Sequence, residues 1–460
     1  MKKLLLIIVF GISTFVQAQL NNRRLVVPEF GNNVVKTYVP TSATTMAVNP
    51  SYTINFSTLG NGLATGASPN CTAMFGSDLY VSLTAANQRI YKFPNYGTNP
   101  ATAIANVSEI TRASSDYVGI AFDASGNLYA SEGSYLNTQI VKYSGANLAT
   151  RTVLGNGGLQ SYFGNFAFDA AGNLWASDYY QNRLVVIPVA SLSTTNAPMK
   201  SLVNAPAIWN ASGASLANTN ATLSANIVNY AFTSPEGVAF DSTGGLWVAN
   251  NNDANSQGNL LNPSNATLVR ISTALQATIL AGTTTIATTS LLNIANGLKV
   301  WNVPNSASGR CQLGGLQIDK VTDRLYVNEQ KSNSGLFFDI PTIDVINTTF
   351  TNYQLNMVST SSGNGGIYLA SDTQVLANKN FDANSLEMSF YPNPSNGNFS
   401  IITAEKIEQA TAFDIMGKEI RIETISENNF SLANATTGVY FVNIAFENGF
   451  KTTKKLVINK

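Results

Sequence analysis

The chain has 460 residues, enough for two or three domains or for one repeat body with an appendage, and its 44% hydrophobic and 10% aromatic content excludes global disorder. Charged residues make up only 11%, with 26 basic against 26 acidic, so the surface is built from Asn, Ser, Thr and Gly and carries no electrostatic footprint for nucleic acid. Histidine is absent, which excludes a Ser-His-Asp triad, a histidine general base and every histidine-ligated zinc, iron or copper site.

Residues 1–18 begin with Lys2 and Lys3, run through an apolar stretch from Leu4 to Phe10, and close on Val16-Gln17-Ala18. A positive start, a short apolar run and a small-residue exit specify a secretory signal peptide. The run is too short to span a bilayer, and the mature chain is expected to start near Gln19. No later stretch is long and apolar enough for a transmembrane segment.

The body, residues 19–380, repeats itself. Gly119-Ile120-Ala121-Phe122-Asp123-Ala124-Ser125-Gly126-Asn127-Leu128-Tyr129-Ala130-Ser131-Glu132 returns as Asn165 to Asp178 and again as Gly237 to Asn250. A looser copy runs from Gly315 to Glu329, and degenerate ones survive at Leu79 to Ser82 and Leu25 to Glu29. Each copy reads as strand, tight turn, strand, with a third strand following. The turn aspartates Asp123, Asp169, Asp241 and Asp319 accept backbone N–H groups, and the glycine three residues on supplies a positive φ. Their role is structural.

Such units fit the four-stranded blades of a β-propeller. Gly366 to Ala370 reads as an orphan first strand, which the N-terminal copy lacks; pairing the two would close the ring with six blades, seven being the alternative. The body resembles NHL and gluconolactonase-like six-bladed propellers, above all at Ser234-Pro235-Glu236-Gly237-Val238-Ala239-Phe240-Asp241. The resemblance rests on repeat-building residues and supports the fold more than any activity.

Aligning the second strands puts Glu29, Leu83, Glu132, Asp178, Asn250 and Glu329 at one position, at the strand end facing the rim where propellers bind ligands. Carboxylate and amide oxygens suit Ca²⁺. The gluconolactonase resemblance implies a central cation held by Glu236, Asn250 and Asp178. The plainer reading is that each of these side chains ties down its own strand-connecting loop. Two insertions, 200–232 and 282–312, are expected as long loops on the same rim. They carry Trp209 and Trp301 with many Asn and Ser, a mixture suited to stacking on and hydrogen-bonding a sugar; Trp209, Trp301, Glu132 and Glu329 are the candidate ligand-binding residues. The plainer reading of the two tryptophans is that they pin the loops to the body. No catalytic residue is assigned. The two cysteines, Cys71 and Cys311, fall at different offsets in the repeat, so separate thiols are expected rather than a disulfide.

Composition shifts after a linker at 381–387: residues 387–460 hold 8 acidic and 7 basic residues. Phe390-Tyr391-Pro392-Asn393-Pro394-Ser395-Asn396-Gly397 forces a tight turn, and short strands follow at 399–403, 410–415, 419–422, 438–445 and 454–458. Five short strands suggest a small Ig-like β-sandwich. The Tyr-Pro-Asn-Pro turn, Asp414-Ile415-Met416-Gly417-Lys418, Gly438-Val439-Tyr440-Phe441-Val442 and Lys454-Lys455-Leu456-Val457-Ile458 resemble the C-terminal sorting domain of the type IX secretion system, over residues 388–460. That resemblance implies contact with the secretion machinery, passage through the periplasm to the cell surface or beyond, and removal of the domain by a surface peptidase.

An exported all-β protein of binding or scaffold type, with a glycan or another surface ligand, is therefore expected. The alternative is a Ca²⁺-dependent hydrolase or lactonase at the central axis. Streptogramin-lyase-like chemistry fits poorly, because that family relies on histidine.

Overall fold

The repeat signature folds as two antiparallel strands around an aspartate-held turn. Asp123 Oδ1 accepts the N–H groups of Ser125 and Asn127, both at 2.9 Å, while Gly126 takes φ +81°. Gly172 and Gly244 take φ +85° and +82° at the matching places, a conformation open to glycine without steric cost. The aromatic residue of the second strand then returns to the same carboxylate. Tyr129 Oη, Trp175 Nε1 and Trp247 Nε1 donate to Asp123, Asp169 and Asp241 at 3.0, 3.0 and 2.8 Å. A large ring can thus be buried with its polar handle satisfied.

The protein was analysed as a computed structural model, which describes residues 23–42, 45–59, 68–84, 89–112, 116–134, 137–156, 158, 161–203, 220–223, 232–251, 266–282, 285–287, 296–303, 313–319, 324–329, 334–339, 349–355, 368–371, 389–403, 406–415, 417–426, 428–432, 435–446 and 451–460. The chain forms two units, Met1–Asn378 and Lys379–Lys460. The signal-peptide reading of residues 1–18, Trp209 and Cys311 lie outside the described residues. Among the described residues no helix is long and apolar enough to cross a membrane.

The first unit is built of antiparallel sheets, numbered here in chain order. In the first, Arg23–Glu29 lies between Tyr368–Ser371 and Val34–Pro40, with Met46–Val48 outside. The second and third are four-stranded: Ser68–Phe75, Asp78–Thr84, Arg89–Phe93 and Ser108–Arg112, then Asp116–Phe122, Leu128–Ser134, Asn137–Ser144 and Thr150–Asn156. In the fourth, Phe163–Phe168, Leu174–Asp178, Arg183–Ile187 and Lys200–Val203 are joined by Thr285–Ala287, parallel at the outer edge. The fifth runs Pro235–Phe240, Leu246–Asn250, Thr267–Ile271, Leu298–Asn302, and the sixth Leu313–Asp319, Arg324–Glu329, Ser334–Asp339, Thr349–Leu355. Asn220–Leu223 pairs with the outer strands of both and makes them one nine-stranded sheet.

Sheets stack on their neighbours through their first strands: Ser68–Phe75 on Asp116–Phe122, that strand on Phe163–Phe168, then Pro235–Phe240, then Leu313–Asp319. Close approach is built in. A β-bulge interrupts the first strand of the second to sixth sheets, between Pro69 and Cys71, opposite Ala130/Glu132, and after Phe163, Pro235 and Leu313. At the bulge, Gly237 leaves no room for a Cβ, which would lie 2.5 Å from Leu316 N and 2.6 Å from Gly314 O. Hydroxyls bind the neighbour there: Ser82 Oγ donates to Val118 O at 2.7 Å, and Ser177 Oγ to Glu236 O. Between the fourth and fifth sheets, Trp175, Val186, Val238, Phe240, Val248 and Val269 share one buried core.

The structure corrects the two long insertions. Lys200–Val203 and Leu298–Asn302, read from sequence as loop, are the outer strands of the fourth and fifth sheets. Low-contrast segments such as Lys-Ser-Leu-Val carry too short a pattern to be told from loop.

In the second unit, Ser389–Tyr391, Asn398–Ile402, Asn429–Ser431 and Glu423–Ser426 form one sheet, and Glu419–Ile420, Ile407–Asp414, Gly438–Phe446 and Lys451–Ile458 the other. Phe390, Phe399, Ile401 and Phe430 from the first meet Ala412, Tyr440, Val442, Ile444 and Leu456 from the second in one buried core. The arrangement is a sandwich. Its Asp414 turn repeats the logic of the first unit, with Lys418 N–H on Asp414 Oδ1 at 3.0 Å and Gly417 at φ +78°.

Candidate functional site

Strand register brings the sequence-aligned residues to one level. Glu132 faces Tyr117 and Gln139, Asp178 faces Phe163 and Arg183, Asn250 faces Pro235 and Thr267, and Glu329 faces Leu313 and Ser334. Leu83 faces Pro69 in the second sheet, and Glu29 ends its strand opposite Val34. Those of the second to sixth sheets lie at the bulges of their first strands.

Each described acid or amide at this level is engaged within its own sheet. Glu132, 5% exposed, accepts Arg151 Nη2 at 2.7 Å, Arg151 Nε at 3.1 Å and Tyr143 Oη at 2.6 Å. Asp178, fully buried, accepts Tyr162 N at 2.9 Å and Gln181 N at 3.4 Å on Oδ1, and Arg183 at 3.0 Å on Oδ2. Burial pushes the Asp178 carboxyl above its usual range, and Arg183 and the Tyr162 N–H offset this only in part. Asn250 Oδ1 accepts Thr233 N at 2.8 Å, and Glu29 accepts Asn32 Nδ2 at 3.0 Å and forms an ion pair with Lys36 Nζ at 2.8 Å. Asp178 and Asn250 thus hold backbone that flanks the strands, at Tyr162, Gln181 and Thr233, whereas Glu132 ties its strand to the two outer strands of its sheet.

Glu236 stands on the bulge of the fifth sheet, buried, with Asn251 Nδ2 3.3 Å from its Oε2. Asn251 was invisible in the repeat alignment, since it lies one residue past the aligned block. Its amide pairs with the backbone of Leu313 in the sixth sheet, donating at 2.7 Å and accepting at 2.5 Å. Trp301 is not on a rim loop: it lies in the outer strand Leu298–Asn302, 4% exposed, stacked on Trp247 with ring centroids 5.0 Å apart and planes 18° from parallel. Strand alternation explains the difference, because it takes the ring to the face that carries Trp247. The Glu329 side chain and Trp209 are outside the described residues, so the structure brings neither to the others. Cys71 is buried between the second and third sheets, its Sγ 3.7 Å from Ile120 O.

Oxygen donors for a cation are therefore distributed unevenly. Glu236 and Asn250 belong to one sheet and carry hard oxygens, whereas Asp178 is already matched by the Arg183 guanidinium. Among the described residues no group of three or more His, Cys, Asp or Glu side chains gathers as a metal-holding cluster.

Residues 389–459 match the family described as the secretion system C-terminal sorting domain. They are a type IX sorting domain. The protein is accordingly addressed to the cell surface or beyond it, and its sorting domain is the part that meets the secretion machinery. No curated protein matches the chain. Among solved structures it is similar to the periplasmic gluconolactonase PpgL of Pseudomonas aeruginosa, at 9% identity and TM-score 0.43 over 95% of this chain and 96% of that one. It is similar also to PorZ, a surface component of the type-IX secretion system of Porphyromonas gingivalis, at 12% identity and TM-score 0.38 over 94% of this chain. The match spans only 59% of PorZ. A catalytically inactive virginiamycin B lyase from Staphylococcus aureus, solved with quinupristin, is similar at 12% identity and TM-score 0.40, over 76% of this chain and 92% of that one.

Proposed function

We propose that the first unit is a closed, six-bladed NHL-like propeller, carried to the cell exterior by its sorting domain, that binds a glycan or another surface ligand on the rim beyond the bulges. Pairing of Arg23–Glu29 with Tyr368–Ser371 supports ring closure, and residues 1–18 serve as the signal peptide of the first export step. The observation that carries the binding reading is the use of the rim acids. Glu132, Asp178 and Glu29 are tied to Arg151, Arg183 and Lys36 on other strands of their own sheets, so the strand ends that border the rim are fixed for presentation. A direct test is titration of the full chain with soluble β-glucan, xylan, mannan and starch, followed by calorimetry. Saturable heat with at least one of them is expected; flat titrations with all four, and no retention on a whole-cell surface fraction, would remove the reading.

A second reading keeps a Ca²⁺-dependent hydrolase or lactonase at the axis, favoured by the buried Glu236 carboxylate beside Asn251 and near Asn250 in sequence. Glu236 and Asn250 would hold the cation, and Ca²⁺ would polarise a carbonyl oxygen there. Asp178 fits this role less well, since Arg183 neutralises it. This reading expects stoichiometric metal by elemental analysis and a rise in melting temperature with Ca²⁺ that Glu236→Gln abolishes. Equal melting curves with Ca²⁺ and with chelator count against it.

A further inference from the structure

Three tyrosines meet on the rim of the fourth sheet. Tyr162 precedes its first strand, and Tyr179 and Tyr180 follow its second. The rings pack edge to face, with centroids 4.9 Å apart for Tyr179–Tyr180, 5.6 Å for Tyr162–Tyr180 and 6.4 Å for Tyr162–Tyr179. All three are half-buried, so part of each ring faces water.

The repeat does not require them. The residues matching Tyr162 in the second, third and fifth sheets are Ser68, Asp116 and Ser234, and those matching Tyr179 are Thr84, Gly133 and Asn251. Small or polar residues suffice to build the other rims. Three rings in place of them, kept partly in water, cost solvation that a purely architectural position avoids.

The cluster is also held rigidly. Asp178 Oδ1 accepts both Tyr162 N and Gln181 N, and Tyr179 N donates to Tyr162 O at 2.9 Å, so one buried carboxylate fixes both tyrosine-bearing loops. Asn182, at φ 52°, turns the second loop and accepts Ser234 N at 2.8 Å, anchoring it to the fifth sheet. Arg183 completes the support through Ser161 and Ser201, at 3.3 Å each, and balances the Asp178 charge. What results is a preorganised aromatic surface, followed directly in the chain by the half-buried Gln181, with the Asp178–Arg183 pair internally neutralised.

We propose that this cluster is the ligand platform, and that it takes a neutral saccharide. Sugar rings offer C–H faces that pack on tyrosine and hydroxyl edges that suit amides and phenols, and a neutral ligand matches a site without uncompensated charge. Preorganisation lowers the ordering cost of binding. The inference rests on the binding reading above and assigns its site.

Calorimetry of the full chain with β-glucan, xylan, mannan and starch tests it. Against whichever polysaccharide binds, Tyr179→Ala/Tyr180→Ala should weaken affinity about tenfold or more, and Gln181→Ala by several fold, the latter leaving the rings and the fold in place. Affinity unchanged in both variants overturns the platform while the binding reading stands. If the unsubstituted chain binds none of the four, the saccharide platform falls, and the binding reading falls with it only when the chain is also not retained on a whole-cell surface fraction. Should the double variant fail to fold, Gln181→Ala decides alone.

Discussion

Asp241→Asn should destabilise the first unit by about 3–5 kcal/mol, as expected when one partner of a buried ion pair is removed. Asp241 Oδ1 takes the N–H groups of Thr243 and Gly245 at 3.0 and 2.8 Å, a demand that Asn can still meet. Oδ2, however, takes Trp247 Nε1 at 2.8 Å and Arg270 Nε at 2.7 Å. An amide placed there either turns its own NH₂ onto two donors or gives up the Oδ1 contacts. It also leaves Arg270, whose side chain is only 12% exposed, without its counter-charge. The same aspartate carries a pH signature. Burial pushes its carboxyl up, but Arg270, Trp247 and Thr243 together outweigh that and hold it below the ordinary value. Its contribution is thus present above the unfolded pKa, about 4, and is lost as pH falls through the lower folded value. The unsubstituted chain should therefore lose stability in acid more steeply than the variant. All four tryptophans lie before residue 379, so their fluorescence in a urea titration reports on this unit alone. A difference under about 0.5 kcal/mol, the range of an ordinary surface change, would refute the argument.

Gly237→Ala is the second large effect expected. Its new Cβ would collide with Leu316 Cβ and sit 2.5 Å from Leu316 N and 2.6 Å from Gly314 O, the last two being backbone atoms of the next sheet that cannot swing aside. Overpacking of this kind costs about 1–3 kcal/mol, and more where backbone must shift. Gly164→Ala is the control. Its Cβ would meet nothing closer than Ser177 Oγ at 3.5 Å, so the change should be neutral or, through the entropy of the unfolded chain, stabilising by about 0.4–1 kcal/mol. Equal melting of the two variants would mean that the fifth and sixth sheets are not closely apposed at Gly237.

Much of the first unit could be read from residues because the repeat is carried by turn chemistry. Asp, Gly and an aromatic at fixed spacing are visible as letters, and all three turned out to be joined by hydrogen bonds. Outer strands were harder. Lys200–Val203 and Leu298–Asn302 owe their state to pairing with a neighbour that is distant in composition and offers no local mark. In the sorting domain the edge strands Ser389–Tyr391 and Glu423–Ser426 and the three-residue strand Asn429–Ser431 between neighbours carry too short a pattern to be read, while the long central ones are plain. The rim acids were aligned correctly, since the register follows the repeat. Their partners Arg151 and Arg183 were not seen, because a long cation's direction depends on packing across strands. Trp301 reads as a loop residue because nothing local marks the strand that carries it. The three tyrosines carry no repeat signature, because they stand where the repeat is broken.

The strand pair that joins the two ends of the first unit also has a meaning in time. The second, third and fourth sheets draw their principal strands from continuous stretches of chain, and can form as soon as those stretches are available. Arg23–Glu29 must wait for Tyr368–Ser371, at nearly the full length of the unit. Contacts of such long sequence separation are slow to form, and until then one edge of an early strand stays open. The first sheet is therefore expected to be the last completed, leaving the chain longest in an incomplete state at the place where its beginning meets its end.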